Sequence, residues 1–167
     1  MEPDWELTQT TLGQPKAGLS AELDALAAYV DSLNSFPRSP WRSEDGELTM
    51  EAEAGESIFL DPVVGCSECH PAPQYTDSQW LGPSQPLLND VGTLTGASGQ
   101  RLAGELLGLD TPTLLALHAT APYLHDGSAM TLREVLVDRN PNDEHGVTSH
   151  LTEAQLQQLE RFLLELE

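Results

Sequence analysis

The feature that most constrains this chain is the pentapeptide Cys66-Ser67-Glu68-Cys69-His70. It has the Cys-x-x-Cys-His form of a covalent haem c attachment site. Two thiols at that spacing can each add across a vinyl group of the porphyrin, and the adjacent histidine then lies under the iron as its proximal ligand. Cys66 and Cys69 are the only cysteines. Two other chemistries use such a pair, a redox dithiol and half of a structural zinc site. The first more usually sits at a helix start near a βαβ pattern, and none is visible. The second wants four ligands, and the sequence has no second paired cluster. One covalent haem c on Cys66 and Cys69, with His70 on the iron, is the expectation.

A haem also explains how so little apolar sequence can organise a domain. With 167 residues and 39% hydrophobic composition, the chain can bury one modest core, so one principal domain with an appendage is expected. No run approaches the length of a membrane-spanning helix, and the mean hydropathy is -0.30. The opening Met-Glu-Pro-Asp-Trp lacks the basic start and apolar stretch of a secretory leader. Haem c is attached outside the bacterial cytoplasmic membrane. The expectation is therefore a periplasmic or extracellular protein whose leader has been removed, or a piece of a longer chain.

Charge narrows the partners. Asp and Glu number 27 against 7 Lys and Arg, a formal net charge of -20. Nucleic acid is excluded as an expected partner. Such a surface would steer a basic redox protein towards it, with an association rate that falls as salt rises. Solubility or adaptation to salt is the competing explanation, since Lys16 is the only lysine.

In chain order, residues 1 to 19 carry Pro3, Gly13, Pro15 and Gly18 with no sustained period, and read as an irregular lead-in. Ser20 looks like an N-cap. Leu23, Leu26, Ala27, Val30 and Leu33 then share one face of a helix running to about Leu33, stopped by Asn34, Pro37 and Pro40. A counterpart closes the chain. Thr152 with Gln155 makes a capping-box pattern, and Leu156, Leu159, Phe162, Leu163 and Leu166 form an apolar stripe. Overlaid, Leu23, Leu26, Tyr29, Val30 and Leu33 fall on those five residues in order. Residues 20 to 33 are accordingly expected to be the closing helix of a preceding cytochrome-like unit. Residues 1–48 form an N-terminal helix and linker, with Trp41 expected to pack down as an anchor, and residues 49–167 form the mono-haem domain.

Within that domain Thr49 opens a helix whose Gly55 would let another helix cross close to its backbone, with Phe162 as the aromatic to fill the crossing. From Pro71 to about Asp110 the chain is rich in Pro, Gly, Ser and Thr, a long irregular stretch suited to covering a haem rather than forming a sheet. Arg101 is a candidate to meet a haem propionate, because its guanidinium makes paired charge-assisted hydrogen bonds.

Several strings together resemble the superfamily of di-haem cytochrome c peroxidases and MauG-like proteins. They are Asp90-Val91-Gly92-Thr93, Ser98-Gly99-Gln100-Arg101-Leu102, Asp110-Thr111-Pro112-Thr113-Leu114 and Thr120-Ala121-Pro122-Tyr123-Leu124-His125-Asp126-Gly127-Ser128. The helix Thr131-Leu132-Arg133-Glu134-Val135-Leu136 and the leucine-rich closing helix continue the likeness over residues 49 to 167. The resemblance implies an all-α cytochrome c fold with long irregular haem-covering loops, here with an extra N-terminal helix. It implies the second, electron-transfer half of such proteins. Two departures stand out: one haem motif instead of two, and Leu115-Ala116-Leu117-His118 in place of a segment that usually contains arginine.

The sixth ligand separates a carrier from a reactive iron. In many relatives a Met or Tyr follows the His-Asp-Gly string by several residues, but the matching position here is about Arg139, which does not ligate. His145 is the first candidate: it lies in the loop Asn140-Pro141-Asn142-Asp143-Glu144-His145-Gly146, where Gly146 permits a sharp turn beside the ring. Met130 is the runner-up, with His150, His118 and His125 behind it, His125 being read as structural. A neutral imidazole would give a lower potential than methionine. No residue is assigned a catalytic role. The expected function is one-electron transfer, a carrier more than an enzyme. The alternative is the haem half of a di-haem peroxidase or oxidase acting on hydrogen peroxide or another oxidisable substrate, within a larger protein carrying a further cytochrome domain. A ligand-sensing haem module would need the same open iron.

Overall fold

The computed structural model describes residues 17–33, 38–82, 85–101 and 104–167, without the side chain of Arg101. The chain divides into two compact units, one of residues 1–36 with 79–87 and the other of residues 37–78 with 88–167.

In the first unit, helix α1 spans Ala21–Ser32, and Ser20 Oγ accepts the Leu23 N–H at 3.3 Å as the N-cap. None of its residues is buried. Leu23, Leu26, Tyr29, Val30 and Leu33 are each more than half exposed. The same unit holds an antiparallel ribbon of β1 (Trp80–Gly82) and β2 (Gln85–Pro86).

The second unit is built on a helix pair. Helix α2 spans Met50–Phe59, capped by Thr49, whose Oγ1 accepts the Ala52 N–H at 3.2 Å. The haem-motif turn α3 covers Cys66–Cys69. The closing helix α4 spans Glu153–Leu164 with the expected capping box between Thr152 and Gln155. All five residues of its apolar stripe are buried: Leu156, Leu159, Phe162, Leu163 and Leu166. They form one core with Ala52, Phe59, Leu132 and Leu136.

The crossing of α2 and α4 is set by the residue that lacks a side chain. A Cβ on Gly55 would lie 2.0 Å from the Gln158 carbonyl oxygen and 2.8 Å from Phe162 Cβ. Phe162 packs on Phe59 with ring centroids 5.2 Å apart, and Tyr75 closes the cluster at 5.8 Å from Phe59 and 6.3 Å from Phe162. The Gly55–Phe162 crossing expected from sequence is thus formed. The buried Glu165 adds a second tie. Its carboxylate accepts the Thr49 N–H at 2.9 Å and the Thr49 hydroxyl at 2.7 Å, placing negative charge at the N-terminus of α2.

Three sequence expectations change. The class is mainly helical but not all-α: besides β1 and β2, strands β3 (Gln100–Arg101) and β4 (Gly104–Glu105) pair antiparallel, and Asn89 bridges Leu109. The stretch expected to be irregular thus closes its own backbone hydrogen bonds in short ribbons, as chain away from helices must. Trp41 is no buried anchor; it is 46% exposed, with the Arg161 guanidinium 4.6 Å over its ring. Ser39 is the residue that packs down, donating its hydroxyl to the Leu164 carbonyl at 2.6 Å. The helix expected over Thr131–Leu136 has only Leu132 and Arg133 in the α register before a π turn at Glu134–Asp138.

Because the Gly55 contact is with backbone, it cannot be relieved by a rotamer change. Gly55→Ala should lower unfolding free energy by about 2 kcal/mol or more, the scale of overpacking in a tight core. A denaturant titration with an unchanged midpoint would contradict this crossing.

Candidate functional site

Cys66 and Cys69 sit on the turn α3, entered through Gly65 at φ 80°, and are not joined to each other in a disulfide. Burial pushes the Cys66 thiol up to about 11. Burial also raises that of Cys69, with help from the Asp77 and Glu68 carboxylates. His70 follows directly and is buried, 8% exposed. Its Nδ1 lies 2.9 Å from the Tyr75 carbonyl oxygen. A carbonyl only accepts, so Nδ1 carries the proton and Nε2 keeps its lone pair free for a metal.

The aromatic cluster controls that bond. Tyr75 has φ 51°, a left-handed conformation uncommon for a non-glycine residue. Its ring is fixed edge-on against Phe59 and Phe162, so its carbonyl is held where His70 needs it. Nearby, Thr113 donates its hydroxyl to the Gln74 carbonyl at 2.6 Å, and Thr76 donates to the Thr111 carbonyl at 2.6 Å. The loop after the haem motif is therefore pinned from Gln74 to Thr76.

His145 comes to the same place from the other end of the sequence. Its ring centroid is 6.4 Å from that of His70, with the planes 39° apart. The approach is made by backbone: Val147 N–H donates to the Val64 carbonyl at 2.9 Å, and a Cβ on Gly146 would lie 3.1 Å from that oxygen and 3.7 Å from Cys66 Sγ. With φ 81°, Gly146 supplies the turn expected of it. Burial, and then the neighbouring His70, push the His145 imidazole down to about 4. Burial also lowers His70, against the raising effects of the Tyr75 carbonyl, Asp77 and the Pro112 carbonyl. Both rings are thus neutral near pH 7, the form that ligates.

This arrangement fits a haem iron. Imidazole bonds to a first-row metal run to about 2 Å. Adding a ring radius on each side, two imidazoles that share one metal would have centroids up to roughly 6.3 Å apart. A protein-only metal cage does not compete: among the described residues no group of three or more His, Cys, Asp or Glu side chains gathers.

The other candidates fall elsewhere. Met130 is 63% exposed, and its N–H is tied to Glu134 Oε2 at 2.5 Å. Arg139 clamps the Ser128 carbonyl through Nε and Nη2 at 3.1 and 2.9 Å. His125 is exposed, with Nε2 3.2 Å from Ser98 Oγ and Nδ1 3.5 Å from Thr93 Oγ1. His150 is exposed. His118 is half-buried, with its Nδ1 enclosed and without a hydrogen-bond partner. The Arg101 side chain lies outside the described residues. Asn140 and Thr148, both buried and both bonded to the His145 loop, were not foreseen from sequence; Asn-Pro at the loop start was the available signal.

No family model matches the chain. It is 37% identical over 171 residues to hydrazine synthase subunit gamma of Kuenenia stuttgartiensis, covering 84% of this chain and 48% of that one. It is 29% identical over 115 residues to methylamine utilization protein MauG of Methylorubrum extorquens, covering 67% and 32%. A solved Kuenenia stuttgartiensis hydrazine synthase, pressurized with xenon, superposes with TM-score 0.69 at 34% identity, over 86% of this chain and 55% of that chain. A MauG-like protein associated with microbial copper homeostasis shares the fold, with TM-score 0.53 at 22% identity over 72% and 44%. The chain spans about half the length of the first relative and a third of the second. These relations bear out the resemblance to the cytochrome c and MauG-like superfamily.

Proposed function

We propose that this chain, a relative of the MauG-like cytochromes c, is a single-haem electron-transfer unit whose iron would be held by two histidines, His70 and His145. The observation that carries the reading is the 6.4 Å separation of two neutral imidazoles, His70 buried and His145 half-buried, beside a Cys-x-x-Cys-His turn. Cys66 and Cys69 would hold the haem through thioether bonds, and His70 and His145 would take the iron from opposite sides. When bound, the group supplies one-electron cycling between Fe(III) and Fe(II). The chain's own part is to hold His70 in one tautomer through Tyr75, to bring His145 across on its loop, and to keep water from the ligand axis. Arg101 is proposed to meet a propionate.

Filling both positions suits a carrier, since a peroxidase needs an open or displaceable site. The acidic surface favours a basic redox partner, with formal charge -20. Likeness to subunit gamma of hydrazine synthase supports work inside a multi-subunit complex, and covalent haem c attachment favours a place outside the cytoplasmic membrane. There, residues 49–167 would form the haem domain and residues 1–48 a lead from a preceding cytochrome-like unit. A second reading, the haem half of a two-haem oxidase, is favoured by likeness to MauG over 67% of the chain. It predicts peroxide turnover.

His145→Ala should convert a low-spin ferric spectrum to high-spin, whereas Met130→Leu should leave it unchanged. A converted Met130→Leu spectrum with an unaltered His145→Ala would move the ligand to methionine and overturn the assignment. Electron exchange with a basic small redox protein should slow steeply as ionic strength rises. A rate indifferent to salt would remove the role given to the acidic surface.

A further inference from the structure

His145 sits in a loop, and a loop has no hydrogen-bonded ladder to fix the direction of its side chains. Here one buried side chain takes that place. Asn140 is 5% exposed, and its Oδ1 accepts the His145 N–H at 2.8 Å. Its Nδ2 donates to the carbonyls of Gly146 at 2.8 Å and His145 at 3.3 Å, and to Thr148 Oγ1 at 3.0 Å. The amide orientation is forced, because the flipped form would set its oxygen against two carbonyls. Both polar groups of the His145 backbone therefore end on one side chain.

The anchor is itself braced. Thr148, 4% exposed, donates its hydroxyl to the Leu136 carbonyl at 2.6 Å. Leu136 belongs to the π turn, where Arg139 N–H reaches the Glu134 carbonyl at 2.8 Å. That wider register interrupts the ordinary helical ladder immediately before Asn140.

Folding of the loop as such is secured by other bonds. Asp143 accepts the N–H groups of Thr148 and Ser149 at 2.9 Å each and the Ser149 hydroxyl at 2.5 Å. Val147 is tied to Val64. These bonds hold the chain after His145, whereas Asn140 holds His145 from both sides of its own Cα. We propose that Asn140 is the positioning residue that keeps the His145 imidazole opposite His70, so that its loss frees the ring while the loop stays folded. The inference rests on the two-histidine reading given above.

The test uses the full haem-loaded chain as wild type, Asn140→Ala, Asn140→Asp and Ser149→Ala. Ferric spin state and the rate of carbon monoxide uptake by the ferrous protein are followed, with and without added imidazole. Asn140→Ala should become largely high-spin, take up carbon monoxide at least about tenfold faster, equivalent to about 1.4 kcal/mol, and regain the low-spin spectrum with free imidazole. Ser149→Ala, which loosens the same loop without touching His145, should keep the wild-type spectrum. If Asn140→Ala does not accumulate, Asn140→Asp decides the matter, since it retains the acceptor for His145 N–H and lacks the donors. A raised high-spin fraction supports the proposal, and a wild-type spectrum overturns it. A low-spin wild type with an unaltered Asn140→Ala overturns this proposal alone. A wild type that is already high-spin overturns the two-histidine reading and this proposal with it.

Discussion

The close crossing of α2 and α4 at Gly55 is the constraint on which the site depends. Only a residue without Cβ lets the Gln158 carbonyl come so near, and only that approach brings Phe162 onto Phe59. The pair makes the surface against which Tyr75 stands, and the Tyr75 carbonyl sets the tautomer of His70. Four links thus join a missing methyl group to the tautomer of one imidazole. Packing interactions of this kind are each worth little, on the order of 0.5–1.5 kcal/mol for an aromatic pair. Their effect here is directional: they fix where a carbonyl points.

The opposite side of the site works by a different principle. His145 is placed by polar bonds in a loop, with Asn140, Thr148 and Asp143 supplying what a helix would have supplied by repetition. Gly146 then lets the loop lie on Val64, the residue two positions before Cys66. Burial at the meeting point makes the charged form of either imidazole unfavourable. The same enclosure that keeps these rings neutral would protect a bound iron from water.

Much of this was legible because it is local or periodic. The Cys-x-x-Cys-His turn, the capping box at Thr152 and the apolar stripe of α4 follow from spacing, and the Gly55–Phe162 crossing from a glycine inside one helix and an aromatic on the stripe of the other. His145 could be nominated because the sequence offered few ligands and put a glycine after one of them. The rest depends on contacts across long separations. Trp41 looked like a core residue by type, yet Arg161, 120 positions later, keeps it at the surface. The ribbons at 80–86 and 100–105 carry little side-chain pattern, being only two or three residues per strand. The π turn has no compositional mark, and the role of Asn140 shows only when the backbone of His145 is seen folding back onto it. The exposed stripe of α1 repeats the pattern of α4 with the opposite burial, so periodicity revealed the helix without revealing its environment.

The central claim is that one iron is held between His70 and His145. X-ray absorption at the iron edge of the purified haem-loaded protein addresses it without any mutation. A six-coordinate iron with nitrogen alone in its first shell is the predicted result. Sulfur in that shell, or a five-coordinate iron, would contradict it.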